Sequence, residues 1–166
     1  TLPLAVRVEG NALYAENAEP GAEDSFDFET PYVFKLLSGG PISPKISYYV
    51  YFIIEQGEVT GIEDAYLQFS KLFGSGIDHL FGQFQVSDPL FKRELRLSRA
   101  DYEIYRVRVG DARANLTYER GLMFAGTLPG EIDTVFQVVN GNGIPEGEFD
   151  NDTNKNFALR LSRDFG

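Results

Sequence analysis

The stretch KISYYVYFIIEQ, Lys45–Gln56, decides the class of this chain. Ile46, Tyr48, Val50, Phe52 and Ile54 fall on one side of an extended backbone. Ser47, Tyr49, Tyr51 and Glu55 fall on the other. Successive side chains of a strand point to opposite faces, so a period of two separates an apolar surface from a mixed one. A run of about 10–12 residues is also the length of a tilted strand crossing a bilayer.

The same period recurs on both sides of it. After a turn at Gly57–Gly61, IEDAYLQFSKLF sets Ala65, Leu67 and Phe69 against Asp64, Tyr66, Gln68 and Ser70. Asp78–Val86 sets Leu80, Gly82, Phe84 and Val86 against Phe81, Gln83 and Gln85. Upstream, Leu4–Tyr14 and Phe26–Leu37 alternate in the same way, the second interrupted by Pro31. Gly39-Gly40-Pro41 with Pro44 reads as a short stiff turn. Downstream, Ala112–Gly121, Glu131–Asn140 and Asn156–Arg163 alternate again. Ser87–Tyr105 is a long polar and basic connection, with a short helix expected only around Phe91–Tyr102. Gly141–Asn154 is a Gly/Asn/Asp loop, and no strict internal repeat occurs. The expectation is about eight or nine antiparallel strands in sequential hairpin order, within a single domain over residues 1–166.

Composition agrees. The chain has fourteen Phe, nine Tyr, seventeen Gly and no Trp, an aromatic- and turn-rich profile typical of β proteins. A net charge of −10 and a pI near 4.5 argue against nucleic acid as the partner. Without cysteine there is no disulfide, thiol catalysis or thiolate metal site. No run of 18 apolar residues exists, which excludes a transmembrane helix but not a membrane β-barrel. The start at Thr1, with no leader, suggests a processed chain or a cut fragment.

Soluble sandwiches also alternate, so the polar positions bear on the choice. Asp64, Gln68, Gln83, Gln85, Asn115, Glu119 and Gln137 are large and hydrogen-bonding, as the wet lumen of a barrel requires. Tyr and Phe recur near strand ends, where interface girdles sit. The run SYYVYFIIEQG…IEDAYLQFSKLFG…LFGQFQV resembles the front part of the phosphate-selective porins, the O and P porins of bacterial outer membranes. The likeness lies in Asp64-Ala65-Tyr66, in Gly82-Gln83-Phe84 leading into a long loop, in Asn140-Gly141, in Asp150–Asp152 and in Arg160-Leu161. It spans roughly residues 44–163. It implies an antiparallel up-and-down outer-membrane β-barrel, or the N-terminal part of a larger one, that passes small anionic solutes without chemistry. Such porins are about twice this length or more, and KRELRLSRADYEIYR does not follow their usual loop wording. The implied setting is the bacterial outer membrane, with lipid around the wall. A homo-oligomer such as a trimer, or a larger envelope complex, is the implied assembly.

The candidate permeant-binding residues follow from charge. Gly82–Arg120 holds eight of the fifteen basic residues: Lys92, Arg93, Arg96, Arg99, Arg106, Arg108, Arg113 and Arg120. Arg guanidinium forks suit carboxylate and phosphate, and rings of lumenal Arg build anion-selective pores. The plainer reading pairs these cations with Glu94, Asp101, Glu103 and Asp111 on a solvated loop. Arg113 falls on the polar register of its strand, whereas Arg120 falls on the other. Asp150-Asn151-Asp152-Thr153-Asn154 resembles the start of a calcium loop. It has Lys155 where an EF-hand needs Gly and Leu161 where it needs Glu, so an Asx-rich hairpin loop is expected instead. The acidic stretches Glu16–Glu29 and Glu146–Asp152 read as solvated surface. His79 is the only histidine, no nucleophile elbow or phosphate loop occurs, and Glu63/Asp64 point to opposite faces. No enzyme, no metal and no cofactor are expected. The alternatives to a porin are a soluble or periplasmic β-barrel or sandwich holding a small ligand, and a wall component of an envelope assembly.

Overall fold

The computed structural model describes residues 3–16, 23–55, 58–71, 74–86, 117–143 and 153–165. Eight strands are present: β1 (Leu4–Ala15), β2 (Ser25–Ser43), β3 (Ile46–Glu55), β4 (Glu58–Phe69), β5 (Ile77–Gln85), β6 (Tyr118–Leu128), β7 (Ile132–Val139) and β8 (Asn156–Ser162). They form one antiparallel sheet in the order β1-β2-β3-β4-β5-β6-β7-β8, so each strand pairs with its sequence neighbour. This is the all-β, up-and-down order expected from the alternation. Among the described residues β1 and β8 do not pair, and the sheet is open.

Three boundaries differ from the sequence expectation. β2 runs through Gly39-Gly40-Pro41 to Ser43, and the turn is Pro44-Lys45. The strand neighbours close over both glycines: a Cβ on Gly39 would lie 3.0 Å from the Tyr49 ring and one on Gly40 3.0 Å from the Pro3 ring. Pro41 is absorbed at a register shift, where its missing N–H costs no ladder bond. β4 begins at Glu58 rather than beyond Gly61, with register shifts around Ile62 and Gly61 taking up the irregularity. β6 extends from Tyr118 to Leu128, whereas the expected strand began at Ala112 and ended at Gly121. The helix expected around Phe91–Tyr102 lies outside the described residues.

The registers assign every strand residue to one of two faces. One face carries Leu4, Val6 and Val8; Phe34 and Leu36; Val50 and Phe52; Ala65 and Leu67; Phe81; Leu122 and Phe124; Phe136 and Val138; Phe157, Leu159 and Leu161. The rings of His79, Phe124, Phe136 and Phe157 run across it from β5 to β8, with centroids 4.9, 6.1 and 6.2 Å apart in succession. The opposite face carries Arg7, Lys35, Tyr49, Tyr51, Asp64, Tyr66, Gln68, Asp78, Glu119, Gln137 and Arg160. Two buried clusters interrupt these polar positions: Val33 with Tyr51 and Ile53, and Phe84 with Met123, Val135 and Val139. We call the first face outward and the second inward.

The connections fall at two rims as the strands alternate in direction. Those at one rim are 44–45, 70–76 and 129–131; those at the other are 16–24, 56–57, 86–117 and 140–155. Three of the four at the second rim are longer than any at the first.

Candidate functional site

The inward face is the candidate site, and its polar side chains hold the fold as well as line it. At the short-turn rim, Asp78 accepts from Gln68 Nε2 at 2.9 Å and from the backbone N–H of Lys71 at 3.1 Å, which fixes the 70–76 turn. Asp133 accepts from Thr127 Oγ1 at 2.8 Å across the 129–131 turn. At the opposite rim the Glu119 carboxylate accepts the N–H groups of Gly141 (3.1 Å) and Gly143 (2.9 Å). Both glycines have positive φ, 93° and 77°, a geometry that turns successive N–H groups toward one anion. The Asn140-Gly141 hairpin quoted from the sequence is therefore anchored by a carboxylate already on the chain.

Midway along β1 and β2, Arg7 Nε lies 2.9 Å and Lys35 Nζ 3.7 Å from the same Glu9 oxygen. Lys35 also sits 5.6 Å from the centre of the Tyr51 ring. Lys35, Asp64, Glu119 and Gln137 are all buried on this face, Asp64 with 0% and Glu119 with 1% of its surface exposed. A charged side chain is rarely so covered unless its environment supplies hydrogen bonds or counter-charge. Gln137 donates from Nε2 to the Val86 carbonyl at 3.0 Å.

Gly82 and Gly121 face each other across β5 and β6 on the inward side. A Cβ on Gly82 would lie 2.2 Å from the Ala65 carbonyl oxygen, and one on Gly121 would lie 2.1 Å from that of Val138. Both contacts are far inside van der Waals distance and involve backbone, so only glycine fits. The Gly82-Gln83-Phe84 stretch is thus constrained by sheet packing.

Of the seven candidate arginines, Arg93, Arg96, Arg99, Arg106, Arg108 and Arg113 lie outside the described residues. Arg120 is described, and its register places it outward: it pairs with Gln83, whose next partner is Ala65, and is followed by outward Leu122. Its Nε donates to Gln83 Oε1 at 3.0 Å. Gln83 and Gln85, expected among the lumenal polar positions, share that outward register. Gln83 Nε2 reaches back to the carbonyls of Ile62 and Glu63, and Tyr118 donates its hydroxyl to Glu63 Oε2 at 3.2 Å. Asp64, Gln68, Glu119 and Gln137 do fall inward; Asn115 is outside the described residues.

Among residues whose side chains are described, and leaving aside the part of β1 and β2 beyond Glu9, the inward register holds six carboxylates (Glu9, Glu55, Asp64, Asp78, Glu119, Asp133) and three cations (Arg7, Lys35, Arg160). The cations were not singled out in the sequence, although the period of two placed Arg7 and Arg160 on polar positions. Among the described residues no group of three or more His, Cys, Asp or Glu is placed to hold a metal. Asp150, Asn151 and Asp152 of the Asx-rich loop lie outside them. Comparisons with protein-family models, with curated proteins and with solved structures find no match to the chain.

Proposed function

We propose that the chain forms the wall, or part of the wall, of an outer-membrane porin-like channel through which small solutes diffuse without chemistry or cofactor. One observation carries the reading: the distribution of polarity is inverted. Large apolar side chains are exposed along one whole face, from Leu4, Val6 and Val8 on β1 to Phe157 (69%), Leu159 and Leu161 on β8. On the other face Lys35, Asp64, Glu119 and Gln137 are buried beside the two apolar clusters. Soluble monomers seldom expose a contiguous apolar patch wider than a few hundred Å², and this one spans the sheet. In lipid the same arrangement is the stable one, because hydrocarbon solvates the outward face and the polar face lines the interior.

The connection lengths support this reading, since outer-membrane barrels have short turns at one rim and long loops at the other. The open edges are compatible with it only if further strands complete the wall, because unpaired N–H and C=O groups do not persist in hydrocarbon. A soluble sandwich would need a second sheet over the apolar face, and the described strands all belong to one sheet.

Two parts of the chain set the solute's charge with opposite signs. The wall's described inward register carries more carboxylate than cation. Lys92–Arg113 holds seven basic residues against Glu94, Asp101, Glu103 and Asp111. Charges at a constriction dominate selectivity over those spread along a wall, so anion preference rests on the arginines of this segment. Planar-bilayer conductance in a salt gradient tests it. The expected reversal potential shows anion preference in the wild type and turns to cation preference when Arg106, Arg108 and Arg113 are replaced by Ser. A wild-type preference for cations removes the anion assignment. Absence of conductance from a chain that inserts removes the channel.

A further inference from the structure

We propose that Arg120, with the cleft around it, binds the phosphate of an anionic membrane lipid from the outside of the wall. The inference rests on the membrane reading above and concerns its lipid face, not its lumen.

Among the described strand residues, Arg120 is the only Lys or Arg whose register places it outward. Its neighbours on that face, Phe81 and Leu122, are both exposed apolar groups. A guanidinium at that position in hydrocarbon is costly unless it sits at the headgroup level or meets an anion. Its height fits the headgroup level. Arg120 and its partner Gln83 are each two residues from the long-loop end of their strands, about 7 Å along the chain. On β5 and β6 the apolar outward side chains lie on the side away from that rim. Toward the rim the outward side chains become Gln85 and Tyr118, the latter hydrogen-bonded to Glu63.

The surface there is also hollow. A cleft of about 460 Å³ is lined by Ala65, Phe81, Gly82, Gln83, Arg120, Gly121 and Asn140. Two of these, Gly82 and Gly121, line it with backbone alone. Gln83 holds the guanidinium through Nε, which orients the planar group. Arg is suited to phosphate because several N–H donors lie in one plane and the group is weakly hydrated. Below the phosphate, Phe81 and Ala65 offer apolar surface to an acyl chain.

The test uses the full chain folded in a neutral detergent. Its melting temperature is read with short-chain phosphatidylglycerol, with phosphatidylcholine at the same mole fraction, and with inorganic phosphate. Phosphatidylglycerol is expected to raise the midpoint of the wild type by roughly 5 °C more than phosphatidylcholine. Arg120→Gln is expected to lose that difference. An undiminished difference in the variant overturns the site. An equal rise from inorganic phosphate also overturns it, in favour of a free-anion site. If Arg120→Gln does not fold, Arg120→Lys keeps the charge and loses the fork: a difference less than half that of the wild type supports the site, and an undiminished one overturns it. Flotation of the wild type with phosphatidylcholine vesicles reads the membrane assignment separately. A chain that fails to float removes both proposals, whereas one that floats without lipid-charge preference overturns only the site at Arg120.

Discussion

Glu119 and Leu122 lie three residues apart on one strand and are exposed the wrong way round for a protein in water. The glutamate is 1% exposed and the leucine 42%. Glu119 belongs to the inward face, where its carboxylate holds Gly141 and Gly143. Leu122 belongs to the outward face, flanked by Phe81 and Val138. The contrast extends to the whole sheet. Inward residues are bound to one another and to the connections at both rims; outward residues mostly present hydrocarbon. Burial on the inward face mixes two apolar clusters with hydrogen-bonded charged and amide groups, while exposure on the outward face is mostly apolar. On the reading proposed above, the faces differ in the medium that each requires: hydrocarbon outside and hydrogen-bonded groups inside.

That comparison breaks first at Gly121, the inward neighbour of Leu122. Gly121→Val would force a side chain into the Val138 carbonyl, which only separation of β6 from β7 relieves. The expected cost exceeds about 4 kcal/mol and removes the folded species on a gel of unheated sample. A folded, heat-modifiable variant would mean that the close β6–β7 approach is not real. Next comes Leu122→Arg, which distinguishes the media. In a bilayer the expected loss is about 2–4 kcal/mol in urea unfolding from vesicles. In water, a substitution at an exposed site costs about 0.5 kcal/mol or less, and that result would place the outward face in solvent. The smallest of the three is Glu119→Gln, which keeps the shape and removes one acceptor oxygen. Leaving one glycine N–H without its carboxylate partner is expected to cost about 1–3 kcal/mol, with conductance through the wall retained. No loss of stability would show that the loop after β7 does not depend on its carboxylate anchor.

Much of this was legible in the residues. The alternation of Ile46, Val50, Phe52 and Ile54 with Ser47, Tyr49 and Tyr51 gave β3 and its two faces, and the same period gave the other seven strands in order. It also gave the outward register of Arg120. Boundaries were less legible where Pro and Gly occur. Gly39-Gly40-Pro41 has the composition of a turn, yet β2 continues through it, with Tyr49 of β3 over Gly39 and Pro3 over Gly40. That compensation comes from residues distant in the chain and leaves no mark in the local sequence. Gln83 and Gln85 were misplaced for a related reason. Their polarity suggested the lumen, but their pairing with Ala65, Arg120 and Tyr118 turns them outward near the rim, where polar groups are equally at home.

The sequence by itself determined that this chain is a succession of antiparallel strands, each with an apolar and a mixed face. A period of two is a local property, fixed by the geometry of the extended backbone. Tertiary structure decided the rest. Register set which strand residues stand opposite each other, and so put the carboxylates of Asp78, Asp133 and Glu119 within reach of the turns they hold. Among the described residues it also placed a single arginine, Arg120, on the apolar face, and it left β1 and β8 unpaired with each other. These outcomes depend on hydrogen bonds between segments far apart in the chain, whose partners no local pattern names.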